Sequence, residues 1–420
     1  MLANRVGWRL MPLLALLLLV AFIDRQNVGF AKLTMLTDTG MSEAAYGLGA
    51  SLFFIGYLIF EIPSTLALHR YGARVWIGRI IFTWGLATLL LGFTTNAKMF
   101  YSLRFLLGAA EAGFYPGVLY YLTLWFPRIH RVRMLGILTL GSALGNMLGA
   151  ALSGPLLDLN GALGLAGWQW VFIGTGVPAV LLTGVVFAYL PSSPREAKFL
   201  NAEEKAAIAN ALAREAGDAR PVQDRPWACL ADPKVYGFAV IYMFLAIAHY
   251  GATYWMPTVV KGFGVTATVN GLLNMVPWAL AAAMLLLVPR RLRGDAAIFK
   301  GVSVIGLIGG LAFLSCVLLQ DNRLRFLALC AGAPCISLMY PCFWTLPPRF
   351  FSGARAAASL AAINSIGNLG GFFAQNLMPR AKVWTGSAVG ALLVPATCLL
   401  VLSVVALAAF VLYRRARIGA

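Results

Sequence analysis

The sequence predicts an all-α integral membrane protein with twelve transmembrane helices in two six-helix bundles. Of its 420 residues, 60% are hydrophobic and only 11% are charged. The apolar residues form long continuous runs, as expected for helices that cross a bilayer, whereas β-barrels give a weaker, alternating pattern. One long polar stretch divides these runs into two equal groups, which is typical of membrane transporters.

The twelve apolar runs set the limits of the predicted helices, since each is long enough to cross the hydrocarbon core of a bilayer. They cover residues 8–30, 45–68, 76–95, 99–126, 133–157, 168–190, 236–260, 266–289, 298–319, 324–350, 356–379 and 385–413. No small-residue cleavage site follows the first run, so we expect a retained helix rather than a signal peptide. We therefore predict an N-terminal bundle over 1–190, a cytoplasmic linker over 191–235 and a C-terminal bundle over 236–420.

The basic residues predict the orientation of the chain in the membrane. Of the 33 Lys and Arg residues, 24 lie at or near the side of both termini, seven lie at or near the other side, and Arg25 and Arg104 lie deep inside predicted helices. Cytoplasmic loops carry the excess of Lys and Arg, so we expect both termini in the cytoplasm. The group of seven comprises Lys32, Lys98, Lys261, Arg323, Arg325, Arg380 and Lys382. The loops thus account for the net charge of +18, and no nucleic-acid partner is expected.

Five charged residues lie deep in the predicted helices of the first half, well away from the helix ends, and none lies so deep in those of the second. They are Asp24, Arg25, Glu61, Arg104 and Glu111. A charge at the centre of a bilayer costs about 2.5–3.5 kcal/mol on insertion scales, so such residues face a partner or a water-filled cavity. Asp24 and Arg25 therefore predict a transport site, with a self-neutralising structural pair as the alternative. For Glu61 the alternative is an anchor for a loop arginine.

Charge balance among these residues predicts coupling between an anion and protons. Two arginines and three acids leave one net negative charge, and an anionic substrate would add a second in a medium of low dielectric constant. Proton uptake removes this excess, so each ligand raises the affinity for the other. We predict that Asp24 and Glu111 accept protons, that Arg25 clamps the substrate carboxylate through its guanidinium fork, and that Arg104 holds the carboxylates in place. Protons act as the coupling ion, and no other cofactor is expected.

Neutral polar residues at helical spacing extend the predicted site. In the fourth run Arg104, Gly108, Glu111 and Tyr115 share one helix face, which we expect to point inward. Asn146, Asn364 and Asn368, in the fifth and eleventh runs, either contact substrate or form interhelical hydrogen bonds.

Aromatic residues and glycines in the runs allow further predictions. Trp344 lies in a proline-rich segment that we expect to be kinked or broken. Its side chain either lines the ligand site or packs between helices. His249 and Tyr250 are interpreted as a packed core pair. Glycines at positions 141, 145 and 149 predict close helix packing. The six cysteines are scattered through apolar runs, which predicts buried thiols rather than disulfides or a metal site.

Several motifs carry a resemblance to a known family. They are Asp24-Arg25-Gln26-Asn27-Val28-Gly29-Phe30-Ala31, Tyr57 with Glu61-Ile62-Pro63-Ser64, Arg104-Phe105-Leu106-Leu107-Gly108-Ala109-Ala110-Glu111 with Tyr115-Pro116-Gly117, and Ile363-Asn364-Ser365-Ile366-Gly367-Asn368. In these motifs the chain resembles the anion:cation symporter family of the major facilitator superfamily. It is most similar to the bacterial branch that imports tartrate, hydroxyphenylacetate, nicotinate, phthalate and sugar acids.

The resemblance implies two bundles that rock around a central site and proton-driven symport of a small organic carboxylate. It also implies that Arg25 contacts the substrate, that Asp24 and Glu111 handle protons, and that ligand contacts extend to the four further positions Tyr57, Asn146, Trp344 and Asn364. We accordingly expect a multi-pass monomer in the bilayer of a bacterial inner membrane, with an organic anion as its substrate.

The main alternative is a drug or metabolite/H+ antiporter of the same superfamily, for which the glycine-rich fifth run ending in Ser153-Gly154-Pro155 would argue. Exporters of cations generally need an unpaired acid in the membrane, whereas each deep acid here has an arginine neighbour. An enzyme is not expected, because the sequence shows no metal cluster, nucleophile constellation or phosphate loop.

Overall fold

The computed structural model describes residues 2–217, 226–288, 295–351 and 353–418. These residues form fourteen α-helices joined by short loops and 3₁₀ turns, and they contain no β-strand. The helices are α1 (Leu2–Thr39), α2 (Glu43–Tyr71), α3 (Ala73–Leu91), α4 (Ala97–Glu111), α5 (Phe114–Trp125), α6 (Arg128–Asp158), α7 (Gly167–Tyr189), α8 (Ala202–Gly217), α9 (Pro233–Lys261), α10 (Ala267–Leu287), α11 (Asp295–Leu318), α12 (Asn322–Trp344), α13 (Gly353–Thr385) and α14 (Leu393–Ile418). Residues 218–225 of the predicted linker lie outside the described residues.

The lengths and composition of the helices confirm the all-α membrane class. Ten described helices are long and apolar enough to cross a bilayer. Two further predicted spans correspond to the pair α4 and α5, which are short, and to α13, which carries more polar residues. The remaining helix, α8, is the amphipathic helix of the predicted linker.

The fourth predicted span, 99–126, is not one helix but two. Gly113 separates α4 from α5 and has φ of 83°, a left-handed conformation that disfavours any residue with a side chain. Tyr115, beyond the break, is 40% exposed, whereas Arg104 and Glu111 are each 2% exposed. The helix that carries Arg104 and Glu111 therefore ends before Tyr115, whereas the sequence predicted one continuous helix.

The packing of the helices places α1, α2, α9 and α13 at the middle of the molecule. Among the first seven helices, α1 packs on α6 and α7, α2 packs on α4, and α3 packs on α7. Among the later ones, α9 packs on α13, and α11 packs on both α12 and α14. Contacts between these two groups run through α6 with α10, α2 with α13, and α1 with α9. The boundaries of the two six-helix bundles stay a prediction.

Glycines bring α1 and α6 into close contact, as their spacing predicted. A Cβ atom at Gly141 would lie 3.2 Å from the carbonyl oxygen of Ala15, and one at Gly145 would lie 2.7 Å from that of Leu19. Both approaches are tighter than ordinary side-chain contacts, so only glycine fits without displacing α1. This close packing fixes the position of the helix that carries Arg25.

The linker helix α8 docks on the first group of helices. Arg5 of α1 forms an ion pair with Glu204 of α8 at 2.5 Å, and Trp125 stacks on Phe199 with ring centroids 6.1 Å apart. Glu204 also accepts a hydrogen bond from the backbone N–H of Asn201, which begins the helix. Together with Arg5, this bond lowers the pKa of Glu204 below its ordinary value.

Candidate functional site

A buried ion pair between Arg25 and Glu111 forms the centre of the site. The Nε and Nη2 atoms of Arg25 both donate hydrogen bonds to Oε1 of Glu111, at 3.0 and 2.6 Å. The side chain of Glu111 is 2% exposed and that of Arg25 is 17% exposed. Two donors of the guanidinium are thus engaged by one carboxylate oxygen, while its Nη1 points elsewhere.

The third nitrogen of Arg25 reaches the second group of helices. Its Nη1 donates to the hydroxyl of Tyr250 on α9, at 3.3 Å. Tyr250 does pack against His249, with ring centroids 5.3 Å apart, as expected of a packed core pair, but its hydroxyl also contacts the central arginine. His249 does lie among rings, with centroids 5.7 Å from Trp278 and 5.4 Å from Tyr340. Arg25 thereby joins α4 and α9, which come from opposite halves of the sequence.

Aromatic rings surround the guanidinium of Arg25. Its Cζ lies 5.3 Å from the ring centroid of Phe22, 5.7 Å from that of Phe53 and 5.9 Å from that of Tyr57. Ring faces attract cations, more strongly where water is excluded. Tyr57, a predicted substrate contact, therefore lies beside Arg25 and is 8% exposed.

Asp24 lies next to Arg25 in sequence but on another face of α1. Its carboxylate accepts hydrogen bonds from Thr88 on α3 at 3.0 Å and from Asn27 at 2.9 Å. Asn27 in turn donates to Thr175 on α7 at 3.0 Å. Asp24 is therefore held by neutral donors of the first group of helices, and it does not join the Arg25–Glu111 pair.

Arg104 is also buried, but it is not bonded to an acid. Its Nη2 donates to the carbonyl oxygen of Ala50 at 3.2 Å, and its Cζ lies 4.9 Å from the ring centroid of Phe53. Across the described ranges, no carboxylate oxygen lies within 4.0 Å of this guanidinium. The geometry thus differs from the prediction that Arg104 holds the carboxylates, because it braces the backbone of α2 instead.

Glu61 links α2 to α13. It accepts a hydrogen bond of 2.6 Å from the hydroxyl of Ser365 and one of 3.4 Å from the amide of Asn364. Glu61 therefore does not anchor a loop arginine within the described chain. Asn364 makes the interhelical hydrogen bond that was one of its two predicted roles.

The other predicted ligand contacts lie among their own neighbours. Asn146 is 3% exposed, and its backbone carbonyl accepts from Gln26 at 3.4 Å, while its side-chain oxygen makes no hydrogen bond to a described residue. Trp344 is the last residue of α12 and packs edge-on against Tyr242, with centroids 5.1 Å apart. Asn368 is half-buried on α13. None of these three residues forms a hydrogen bond with Arg25 in the part of the chain that the structure describes.

Polar contacts between the two groups of helices close the molecule at the end opposite the termini. The Nζ of Lys382 on α13 lies 2.6 Å from the carboxylate of Glu43 on α2. The Nζ of Lys261 on α9 donates to the carbonyl oxygen of Leu33 on α1, also at 2.6 Å. Together with the close approach of Gly154 on α6 to the backbone of Ala267 on α10, these bonds hold the helix ends together on this side.

The fold and the site define a class of protein. Many membrane-spanning helices in two groups, with a buried charged pair where the groups meet, are typical of secondary transporters. The family model of the Major Facilitator Superfamily matches residues 14–375. The chain belongs to the Major Facilitator Superfamily, and its members are transporters rather than enzymes.

Similar proteins agree with this assignment and with the branch predicted from the motifs. The chain is 40% identical to a quinolone resistance transporter of Acinetobacter baumannii, over 91% of this chain and 88% of that protein. It is 39% identical to a protein of Agrobacterium vitis that carries the name of a tartrate transporter, over 96% and 93% of the two chains. It is 36% identical to the inner membrane transport protein RhmT of Escherichia coli, over 93% and 90%.

Solved structures share the fold at lower identity. The inward-open xylose transporter XylE of Escherichia coli superimposes with a TM-score of 0.73 at 15% identity, over 95% of both chains. A bacterial homologue of the human lysosomal transporter Spinster gives a TM-score of 0.71 at 19% identity, over 96% of both chains. These likenesses confirm the major facilitator fold.

Proposed function

We propose that this transporter is a proton-coupled symporter that takes up a small organic carboxylate. The observation that carries the proposal is the Arg25–Glu111 pair. In this pair a buried carboxylate accepts hydrogen bonds from the guanidinium, at the point where α1, α4 and α9 meet. A substrate carboxylate is chemically equivalent to this internal partner. It can therefore compete with Glu111 for the same donors.

The competition gives a mechanism for coupling. While Glu111 is anionic, it holds the Nε and Nη2 of Arg25, and a second carboxylate would add uncompensated negative charge in a low-dielectric interior. Protonation of Glu111 removes that charge and weakens its hold on Arg25. The guanidinium then becomes free to bind the substrate through two parallel hydrogen bonds. Anion and proton thus favour each other's binding.

Glu111 lies at the C-terminal end of α4, where the helix dipole places partial negative charge. The anionic form of Glu111 is therefore balanced mainly by Arg25. Once a substrate takes Arg25, a proton is the remaining way to neutralise Glu111. This position explains why the break in the fourth span matters for function, because it creates a helix end beside the acid.

Asp24 is the second proposed proton acceptor. Its carboxylate is 2% exposed and is bonded only to the neutral donors Thr88 and Asn27 among the described residues. Protonation would turn one oxygen into a donor and weaken one of these bonds. We propose that this change is transmitted to α3 and α7 rather than directly to the substrate.

The second half of the chain supplies neutral contacts to the proposed substrate. Tyr250 offers a hydroxyl beside Arg25. Phe54 of α2, in the first half, packs against the ring of Tyr250 with centroids 4.6 Å apart. The cation at the site and its aromatic walls suit an organic anion with a small carbon skeleton. The names of a tartrate transporter and of other transport proteins among the relatives support this class.

We also propose that the protein resides in a bacterial inner membrane as a monomer with both termini in the cytoplasm. The excess of basic residues on the side of the termini supports this orientation. With an inside-negative potential, one anionic charge costs about 2.3 kcal/mol per 100 mV to bring in. At least one proton must accompany each negative charge for uptake to proceed without opposing the potential.

Reconstituted vesicles test this function. Purified protein in liposomes should accumulate a labelled carboxylate when the outside is more acidic than the inside, and the external buffer should become more alkaline as substrate enters. A collapsed pH gradient, produced by an ionophore, is the control and should leave only equilibration. Substrate accumulation that ignores the pH gradient would contradict the proposed coupling.

Export of a drug in exchange for protons is the second candidate function. The 40% identity to a quinolone resistance transporter favours it. The two functions differ in the sign of coupling, because an antiporter loses substrate from the vesicle as protons enter. In the same vesicles, proton-driven efflux of a preloaded quinolone without proton-driven uptake of any carboxylate would establish the exporter.

A further inference from the structure

A second cation lies on the helix that carries Arg25. Lys32 follows Arg25 by seven residues on α1, which is two helical turns and a rise of about 10.5 Å on the same side of the helix. The basic-residue count placed Lys32 with the loops, but the structure buries it inside α1. It lies between Arg25 and the end of the molecule that is closed in this conformation.

Lys32 is buried, and its ammonium donates no hydrogen bond to a described residue. Its side chain is 6% exposed, and its Nζ makes no hydrogen bond to a described residue. The Nζ lies 3.4 Å from the ring centroid of Trp255 and 3.9 Å from the carboxylate of Glu43. An ammonium has three N–H donors, so its hydrogen-bonding capacity is unused here.

A small cavity adjoins this lysine. It has a volume of about 10 Å³, enough for roughly one water molecule, and Lys32, Glu43, Trp255 and Tyr254 are among its lining residues. Lys32 therefore borders a small polar cavity, which is too small for a substrate in the closed conformation.

The neighbours of Lys32 belong to different halves of the chain, and this determines what opening does. Trp255 lies on α9, and Lys382, which holds Glu43 at 2.6 Å, lies on α13. When the two groups of helices part at this end, as alternating access requires, Trp255 moves away from Lys32. Glu43 stays on its own half as the first residue of α2, where the helix dipole stabilises its charge without Lys32. Lys32 then faces the opened passage.

We infer that Lys32 is a second carboxylate-binding residue, which contacts an organic anion entering from the end opposite the termini before the anion reaches Arg25. The closed state covers the ammonium with the face of Trp255, and the open state offers its three donors to the anion. This inference rests on the proposed function, since it assumes that the substrate is a carboxylate.

The substitution Lys32→Gln tests the inference in oriented proteoliposomes. Loss of one charge-assisted hydrogen bond should raise the KM for uptake from this side about 10- to 100-fold. Efflux from the side of the termini should keep a KM within about threefold of the wild-type value, because the passage on that side does not include Lys32. Lys32→Arg, which keeps the charge, should retain most of the affinity for uptake.

Lys98→Gln is the matched control, because this exposed lysine lies at the same end, in the first turn of α4, and takes no part in the contacts that close it. It should leave the KM for uptake unchanged. If Lys32→Gln does not fold, Lys32→Met, which keeps an apolar stem of similar length against Trp255, replaces it with the same expectation. Wild-type uptake of a carboxylate together with an unchanged KM in the folded neutral variant would overturn the role of Lys32 alone. Failure of the wild-type protein to transport any carboxylate would instead overturn the proposed function.

Discussion

Replacement of Arg25 by lysine separates the charge of this residue from its geometry. The guanidinium makes three hydrogen bonds, two to Glu111 and one to Tyr250. A lysine keeps the positive charge, but its single nitrogen cannot lie at the positions of Nε, Nη1 and Nη2 together. The substitution therefore preserves the charge balance of the site and removes the fork that we propose for the substrate carboxylate.

The size of the effect follows from the bonds that are lost. A carboxylate bound by a guanidinium accepts two parallel hydrogen bonds, whereas an ammonium offers one well-directed bond to the same group. A hydrogen bond to a charged partner contributes about 1.5–3 kcal/mol. Loss of one such bond should raise the Kd by about 10- to 100-fold. The protein should still fold, because the ion pair with Glu111 can persist through the ammonium.

Thermal-shift screening against small organic acids identifies a ligand, because binding to the folded state raises the Tm. The Kd of that ligand is then measured by calorimetry for the wild type, Arg25→Lys and the control Arg79→Lys. Arg79 lies on α3 against Trp76, outside the site, so its substitution should leave the Kd unchanged. A Kd for Arg25→Lys within about threefold of the wild-type value would refute the assignment of Arg25 as the carboxylate clamp.

Three further substitutions extend the test. Glu111→Gln should abolish proton-driven accumulation but permit exchange of internal for external substrate, since the pair loses its titratable member; a variant that still concentrates substrate in vesicles would contradict this. Asp24→Asn should change the pH profile of uptake while the Kd stays near the wild-type value, and an identical profile would return Asp24 to a structural role. Gly145→Ala should lower the free energy of unfolding by about 1–3 kcal/mol, because its Cβ would press on Leu19 of α1. Gly136→Ala on the same helix has open space around it and is the control, with little change or a slight gain expected in thermal unfolding.

The sequence alone predicted the fold class and the charged residues at the centre. Length and continuity of apolar runs were enough for the helices, because a bilayer requires both. The cost of a buried charge pointed to Arg25 and Glu111 without knowledge of the fold. The break at Gly113 was missed, since Ala112 and Gly113 do not interrupt the hydrophobicity of the run. Gly113 and Pro116, which falls in the first turn of α5, were the local signals that could have indicated it.

Pairing between charges could not be predicted from spacing. Arg104 and Glu111 share a face of one helix, so Arg104 was the nearer candidate partner in sequence. In the tertiary structure Glu111 instead forms its ion pair with Arg25 of α1. The contact of Tyr250 with Arg25 joins residues 225 positions apart, and no local pattern marks it. Lys32 was counted with the loops because the apolar run stops near residue 30, although α1 continues to Thr39. Contacts across helices depend on packing angles that the one-dimensional pattern does not contain.

Proton uptake on substrate binding is the most direct test of the exchange between Glu111 and a substrate carboxylate on Arg25. Calorimetry of the purified protein in buffers with different ionisation enthalpies gives the number of protons bound with each anion. We predict about one proton per carboxylate for the wild type at a pH where Glu111 is anionic, and a smaller number for Glu111→Gln. Binding of the carboxylate with no proton uptake, or equal uptake in both proteins, would contradict the account.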